Sequence, residues 1–245
     1  MLCQNFQISS GEMGSIVDIS QLADIFTALQ DCSAENINLV TGTHFAPQIA
    51  AGLSLARTKG LTLPVLWNTS GYENDCGLDV IDGFTDVYLT DLKTLDRGIA
   101  TELFAAPDYP DAAAAAILRT VAQGSPVFAA DGRLTSGTVV RHLVLPGMLA
   151  NTRQVLTWFQ EHLAGRALLS LMFQYIPPQD VCGARSGTVL RLQGQNLSLV
   201  LLGIDPHPNG KSLRNVERRM IRNCDIVIYT VKCIGLLQPP KPVGR

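Results

Sequence analysis

The stretch DGFTDVYLTDLK, residues Asp82–Lys93, shows most directly how this 245-residue chain folds. Its run Asp86–Thr90 has the β-branched and aromatic composition of a buried strand. Asp91 and Lys93 follow two residues apart, so both side chains point to the same face. The segment therefore predicts a parallel strand whose carboxyl end carries charged groups.

Further strands and helices alternate along the chain on either side of this segment. The other strand candidates are Ile37–Thr41, Leu63–Trp67, Val139–Leu145 and Ala167–Tyr175. The helix candidates are Ser20–Asp31, Ala46–Lys59, Pro110–Ala122 and Asn151–Leu163, with Ser20 as an N-cap and Gly60 and Gly165 as stops. This alternation predicts an α/β fold with right-handed crossovers, either a doubly wound sheet or a barrel.

Polar or turn-forming residues follow each of the five predicted strands. Besides Asp91-Leu92-Lys93, these clusters are Thr41-Gly42-Thr43-His44, Asn68-Thr69-Ser70-Gly71, Pro146-Gly147 and Gln174-Tyr175. Five such clusters favour the functional rim of a barrel over a single crevice. Plainer interpretations stay open, because each cluster is also compatible with turn chemistry, a structural ion pair or a hydrogen-bonded histidine. His142, inside a predicted strand, either faces the barrel lumen or bonds to a neighbour.

Composition excludes several classes of protein. A net charge of −2 gives no overall attraction to nucleic acid or to anionic lipid. No apolar run reaches the length of a membrane span, and the N-terminus does not have the pattern of a secretory signal, so we predict a cytoplasmic protein. The six cysteines include no CxxC pair and are interpreted as small buried hydrophobic residues, with Cys3 as the exception.

A composition break at Pro177-Pro178 predicts two regions, residues 1–178 and residues 179–245. The first contains 9 Lys/Arg against 17 Asp/Glu, and the second 10 against 4, so the charge reverses from −8 to +6. The second region contains one strand candidate, Leu197–Leu202, and a basic helical stretch, Lys211–Arg222, which is either a nucleic-acid patch or a solvated helix. We expect this basic tail to be irregular and only partly ordered.

Seven blocks of sequence resemble one known family when they are considered in order. They are Cys3-Gln4-Asn5 with Ile8-Ser9, Asn36–Ile49, Leu63–Glu73, Asp82–Lys93, Ala106–Pro110, Val139–Gly147 and Ser170–Pro177. The chain resembles the radical S-adenosylmethionine superfamily, in the branch of iron–sulfur proteins related to pyruvate formate-lyase-activating enzyme. The blocks coincide with the strand ends chosen from the hydrophobic pattern.

The resemblance implies a partial (β/α)6 barrel with a CxxxCxxC loop after the first strand. Three thiolates of this loop hold a [4Fe–4S] cluster, and the cluster cleaves S-adenosylmethionine to a 5′-deoxyadenosyl radical. The radical abstracts hydrogen from a substrate, which in the activating enzymes is a glycine of a partner protein. Cys3 matches the last cysteine of the motif, so the other two cysteines and the first strand would precede residue 1.

The same resemblance assigns further site residues by their position. Thr41, Gly42 and Thr43 match the glycine-rich segment that binds the amino group of S-adenosylmethionine. Asn68 and Thr69 match ribose or cation contacts, and the Asp91 and Lys93 block places the lysine near the cofactor carboxylate. An acidic residue is typical of the glycine-rich segment, and His44 or Thr43 replaces it here.

Two other functions remain open at this point. One is a non-catalytic barrel that binds an adenosyl group or a partner protein without the cluster, because one thiolate cannot anchor a cubane. The other is a lyase that uses Lys93 to form a Schiff base. Asp91 disfavours this second function, because a nearby carboxylate stabilises the protonated form of a lysine.

Overall fold

A computed structural model describes residues 15–173 and, for the backbone alone, residues 200–201. The predicted α/β class is confirmed. The strands are β1 Ile37–Val40, β2 Val65–Thr69, β3 Val87–Asp91, β4 Val127–Phe128, β5 Leu134–Leu143, β6 Leu168–Met172 and β7 Val200–Leu201. The helices are α1 Ile19–Asp31, α2 Ala46–Thr58, α3 Asp75–Ile81, α4 Arg97–Phe104, α5 Tyr109–Ala122 and α6 Leu149–Leu163, with a 3-10 turn at Thr43–Phe45.

One mostly parallel sheet organises these elements. Its strand order is β1-β2-β3-β5-β6-β7, in which β1, β2, β3, β5 and β6 run parallel and β7 runs antiparallel to β6. The short strand β4 pairs antiparallel with β5, outside this path. Within residues 15–173 and 200–201 the sheet stays open and does not close into a barrel.

The helices of the described residues pack on one face of the sheet. One apolar cluster joins α1, α2 and α3 to β1 and β2 through residues such as Phe26, Leu53 and Trp67. A second joins α4, α5 and α6 to β5 and β6 through residues such as Ile117. A third apolar cluster lies on the opposite face of the sheet. Its buried residues, such as Leu66, all come from strands, and none of the described helices contributes to it.

Helix starts follow local capping chemistry. The predicted N-cap Ser20 is wrong, because Asp18 caps α1 in a reciprocal box with Gln21. The Asp18 carboxylate accepts the Gln21 N–H at 2.8 Å, and the Gln21 side chain accepts the Asp18 N–H at 2.9 Å. Both predicted stops, Gly60 and Gly165, have the positive φ expected after a helix. Helices α3 and α4 were not predicted.

Several predictions lie outside the described residues. They include Cys3, the cluster Gln174-Tyr175, the break at Pro177-Pro178 and the basic stretch Lys211–Arg222. Strand β7 falls inside the predicted strand Leu197–Leu202. No helix in the described part of the chain combines the length and the apolar character needed to cross a membrane.

Candidate functional site

The carboxyl ends of three parallel strands bring charged side chains together at one edge of the sheet. Asn68 lies near the end of β2 and is in register with Leu89 of β3, two residues before Asp91. Asp91 ends β3 and is paired with Arg141 of β5. Residues in register, or two apart, share a face of the sheet, so the three polar side chains form one row.

These three residues and Lys93 form a chain of hydrogen-bonded side chains, which we call the rim tetrad. Lys93 Nζ lies 2.6 Å from Asp91 Oδ2. Arg141 Nε donates to Asp91 Oδ1 at 2.9 Å, and Arg141 Nη2 donates to Asn68 Oδ1 at 2.7 Å. The structure therefore joins three of the residues singled out in the sequence and adds Arg141, to which the sequence assigned no role.

The electrostatics of the rim tetrad favour an anionic ligand. Burial alone would raise the pKa of Asp91, but the charges of Arg141 and Lys93 outweigh it and lower that pKa below its usual value. The ionised group then has two cations for one carboxylate. The Lys93 and Arg141 side chains keep 32% and 23% of their exposure, and no described residue accepts a bond from Arg141 Nη1. The group can therefore bind a carboxylate or phosphate through charge-assisted hydrogen bonds.

A second layer of contacts holds Lys93 in position. The Lys93 backbone N–H donates to the Tyr109 hydroxyl at 3.0 Å, and its carbonyl accepts from Asn151 Nδ2 at 3.0 Å. The Tyr109 hydroxyl also lies 3.0 Å from the Asp91 carbonyl and 2.9 Å from the Ser70 carbonyl. Burial, and then the charge of Asp91, raise the pKa of Tyr109, which keeps its hydroxyl protonated. The segment after β3 is thus tied to α5, α6 and the loop after β2.

A glycine lets the loop after β2 lie against the end of β3. Gly71 has a φ of +86°, and a Cβ at this position would lie 2.3 Å from the Asp91 carbonyl oxygen. Both the backbone conformation and the lack of space exclude a larger residue here without rearrangement. The loop after β2 therefore lies directly against the backbone of Asp91, a member of the rim tetrad.

A buried carboxylate that the sequence did not reveal organises the other predicted residues. Glu73 is 8% exposed, and its Oε1 accepts hydrogen bonds from Thr43 at 2.6 Å, Thr69 at 2.5 Å and the Trp67 indole at 3.2 Å. The Glu73 Oε2 atom is buried and makes no hydrogen bond to the described residues. Thr43 and Thr69 therefore bond to Glu73 and not to the rim tetrad. An acidic residue does lie beside the segment Thr41–Thr43, but it comes from the loop after β2.

The segment Thr41–Thr43 adjoins Asn68 through its backbone. The Thr41 N–H donates to the Asn68 carbonyl at 2.8 Å, and Thr41 has the left-handed φ of 54°, which is costly for a β-branched residue. A Cβ on Gly42 would lie 2.8 Å from Ile49 and 2.9 Å from Trp67, so the chain here needs glycine for packing. At Gly42 the segment therefore packs closely against Ile49 and Trp67.

Of the two histidines considered, one is structural and one is on the surface. His142 is fully buried, with Nδ1 2.7 Å from the Leu92 carbonyl and Nε2 3.0 Å from Thr152 Oγ1. Burial lowers the pKa of His142. Its neighbours satisfy both ring nitrogens, which supports the second of the two expectations for this residue. His44 is exposed at the 3-10 turn.

The predicted metal site is not found among the described residues. In residues 15–173 no three His, Cys, Asp or Glu side chains come together to hold a metal ion, and Cys3 precedes this range. The expectation of buried cysteines is wrong for Cys32 and Cys76, which are both exposed. Cys32 follows the last turn of α1 and Cys76 lies in the first turn of α3, where helix ends face solvent.

Comparison with known proteins gives one distant relative. No family model matches the sequence. The uncharacterized protein MJ0674 of Methanocaldococcus jannaschii is 25% identical over 185 residues, which cover 72% of this chain and 50% of that protein. The chain thus spans about half the length of the relative, and the similarity itself assigns no activity.

Proposed function

We propose that this chain forms the core of a radical S-adenosylmethionine protein and binds the carboxylate of S-adenosylmethionine at the rim tetrad. The observation that carries the proposal is the pair of partly exposed cations, Lys93 and Arg141, held on one partly buried carboxylate, Asp91. The pair lies at the carboxyl edge of a parallel sheet, which is where α/β proteins bind ligands. A carboxylate that approaches this edge meets donors that are already oriented, so little ordering cost opposes its binding.

The layering of the fold supports the barrel-like architecture within this proposal. All six described helices take part in the apolar clusters of one sheet face, and the opposite face is lined by strand residues. A doubly wound sheet places helices on both faces, whereas a (β/α) barrel places them on the outside only. The side that bears the rim tetrad would then be the inner side of a partial (β/α)6 barrel.

The described residues fit S-adenosylmethionine better than they fit a [4Fe–4S] cluster. The rim tetrad suits the carboxylate of S-adenosylmethionine, since it presents the two cations Lys93 and Arg141. The described residues provide no set of three thiolates for a [4Fe–4S] cluster, and such a site would depend on Cys3 and further cysteines. We therefore restrict the proposal to cofactor binding, and cleavage to a radical stays an expectation of the resemblance.

The Schiff-base alternative is less compatible with the geometry. A lysine nucleophile has to present a neutral amine to a carbonyl carbon. Lys93 Nζ instead lies 2.6 Å from the Asp91 carboxylate, so this ion pair already engages the amine. The position of Lys93 therefore suits binding of an anion better than nucleophilic attack.

Calorimetric titration of the purified chain with S-adenosylmethionine, in the absence of iron, tests the proposal. We expect saturable binding to the wild type and an affinity about 10–100-fold lower for Arg141→Gln, since a hydrogen bond to a charged group contributes about 1.5–3 kcal/mol. Arg166→Gln is the matched control, because it removes an exposed arginine that precedes the amino end of β6 and is not part of the rim tetrad. No binding to the wild type, or equal affinities for all three proteins, would sink the proposal.

Anaerobic reconstitution with iron and sulfide tests the cluster separately. Visible absorption typical of a cubane, lost in Cys3→Ala, is expected if the protein binds the cluster. A colourless protein that still binds S-adenosylmethionine would favour the non-catalytic binding barrel.

A further inference from the structure

A cavity of about 510 Å³ lies at the amino ends of the strands, at the edge of the sheet opposite the rim tetrad. Residues that precede or begin β1, β2, β3 and β5 line it, together with Arg57 near the end of α2. Asp86, in this lining, directly precedes β3, and Asp91 ends that strand, so about 16 Å separates the two residues at the rise of a strand. The cavity is therefore separate from the rim tetrad, and its volume is typical of a small-molecule site.

Aliphatic side chains form one wall of this cavity. They are Leu61, Leu63, Pro64, Leu66, Val87 and Leu134. Three of them, Leu66, Val87 and Leu134, also belong to the apolar cluster on the strand-lined face of the sheet, and none of the three is more than 7% exposed. The packing of the core thus holds the wall in place. Such a wall favours an apolar group of a ligand over water.

One ion pair in the lining is compensated within the protein. Arg133, between β4 and β5, donates from Nη1 to Glu35 Oε2 at 2.7 Å, and Glu35 precedes β1. The Arg133 Nε atom also donates to Asp131 Oδ2 at 2.6 Å. This pair ties the turn between β4 and β5 to the start of β1. Because its charges already neutralise one another, we assign it no part in recognising the charge of a ligand.

Two other charged side chains of the lining have no counter-ion in the part of the chain that the structure describes. Arg57 donates from Nη1 and Nη2 to the carbonyls of Gly83 and Phe84 at 3.2 Å each, and its guanidinium lies 5.2 Å from the centre of the Phe84 ring. Asp86 Oδ2 accepts the Val65 N–H at 2.8 Å. Neutral groups therefore orient both side chains, and no ion pair within residues 15–173 neutralises either charge.

The two uncompensated charges are held near one another by a single short segment. Arg57 bonds to the carbonyl of Phe84, which is only two residues before Asp86. Two residues of extended chain span at most about 7 Å. A ligand that carries an anionic and a cationic group on neighbouring atoms could therefore reach both side chains, and its apolar part would lie on the aliphatic wall.

We propose that this cavity binds a zwitterionic α-amino acid with a large apolar side chain. The ligand carboxylate pairs with Arg57, its ammonium group pairs with Asp86, and its side chain packs on Leu66, Val87 and Leu134. Each charge of the ligand then meets the opposite charge in a site whose polar groups are already oriented. This inference does not depend on the proposed function, which concerns the other edge of the sheet.

Calorimetric titration with L-phenylalanine and three compounds that each lack one of its groups tests the inference. 3-Phenylpropanoate lacks the ammonium group, phenethylamine lacks the carboxylate, and L-alanine lacks the ring. We expect the wild type to bind L-phenylalanine saturably and each of the other three at least about tenfold more weakly. If 3-phenylpropanoate and phenethylamine bind as tightly as L-phenylalanine, the two charges are not recognised and the inference is wrong.

Asp86→Asn locates the binding site, because asparagine can still accept the Val65 N–H but carries no charge. We expect its affinity for L-phenylalanine to fall about 10–100-fold, and thermal unfolding checks that the variant is folded. Asp31→Asn, an exposed change at the end of α1, is the matched control and should bind like the wild type. A loss in Arg141→Gln without a loss in Asp86→Asn would place the amino acid at the rim tetrad and overturn the inference. Absence of L-phenylalanine binding to the wild type would also overturn it, and the titration with S-adenosylmethionine would still decide the proposed function.

Discussion

Replacing Asp91 with asparagine should destabilise the protein substantially, because it leaves Lys93 and Arg141 without their shared counter-ion. Asp91 contacts Lys93 at 2.6 Å and Arg141 at 2.7 Å, and its side chain is only 17% exposed. Removing one member of a buried ion pair costs about 3–5 kcal/mol. Here the two cations keep 32% and 23% exposure, so water compensates in part, and we expect a loss of about 2–3 kcal/mol in the free energy of unfolding.

Thermal and urea unfolding followed by circular dichroism at about pH 7 measure this loss. About 2–4 °C of Tm for each kcal/mol corresponds to a decrease of about 4–12 °C for Asp91→Asn. The matched control is Asp111→Asn, which breaks an ion pair with Arg97 whose two side chains are each 66% exposed. Such a surface pair contributes about 0–1 kcal/mol. Equal unfolding curves for the two variants would refute the reasoning.

The pH dependence of this difference provides an internal check. The pKa of Asp91 is lowered in the folded protein, so its stabilising contribution is fully present above the unfolded-state pKa of about 4. The contribution is lost as the pH falls through the lower, folded-state pKa. The gap in stability between wild type and Asp91→Asn should therefore be constant at neutral pH and shrink below about pH 4. A gap that persists unchanged in acid would contradict the assignment of an ionised Asp91.

Three further changes test the structure around the rim tetrad. Burial lowers the pKa of His142, so the wild type should lose stability as the pH falls below the unfolded-state pKa of about 6.5. This loss should be absent in His142→Gln. Identical pH profiles of unfolding for the two proteins would argue against a buried neutral imidazole. Gly71→Ala combines a left-handed φ with a Cβ 2.3 Å from the Asp91 carbonyl oxygen and should cost about 2–5 kcal/mol by urea unfolding. Gly83→Ala, with open space around the new Cβ, is its control and should unfold like the wild type; a similar result for Gly71→Ala would disprove the close approach. Glu73→Ala leaves three hydrogen-bond donors without their acceptor. Because the three bonds are only partly additive, we expect the free energy of unfolding to fall by about 3–4 kcal/mol. A loss below about 1 kcal/mol would show that Glu73 does not organise the segment Thr41–Thr43.

The sequence predicts β1, β2, β3, β5 and β6 because each contains an apolar run bounded by turn residues. It does not predict β4, and β5 begins at Leu134, before the predicted start at Val139. The predicted strand Leu63–Trp67 nevertheless begins and ends two residues too early. Pro64 has no N–H to donate to a ladder, and the polar residues Asn68 and Thr69 pair with β3 despite their composition. Strand limits depend on the partner strand, which composition alone does not reveal.

The two helices that were missed are short and weakly buried. Helix α3 has seven residues, of which Leu78 and Ile81 are buried, and α4 has eight, of which Ala100 is buried. A periodic apolar pattern cannot be recognised over so few positions. The cap of α1 is different, because the sequence itself contains the capping-box pattern of Asp18 followed three residues later by Gln21.

Within the candidate site, the sequence predicts contacts between residues that are close in sequence and misses contacts between residues that are far apart in sequence. Asp91 and Lys93 are two residues apart, so their shared face followed from strand periodicity. Arg141 lies 50 residues from Asp91 and 73 from Asn68 in sequence, and only the strand order brings the three together. Glu73 gave no signal, since carboxylates are rarely buried, and its three donors come from two separate segments.

Binding of S-adenosylmethionine compared with decarboxylated S-adenosylmethionine, on wild type and Arg141→Gln, tests most directly whether the rim tetrad holds a carboxylate. The two ligands differ only in the carboxylate, so the wild type should bind S-adenosylmethionine about 10–100-fold more tightly than the decarboxylated compound. Arg141→Gln should reduce most of this preference. Equal affinity of the wild type for both ligands, or a preference that Arg141→Gln leaves unchanged, would contradict the account.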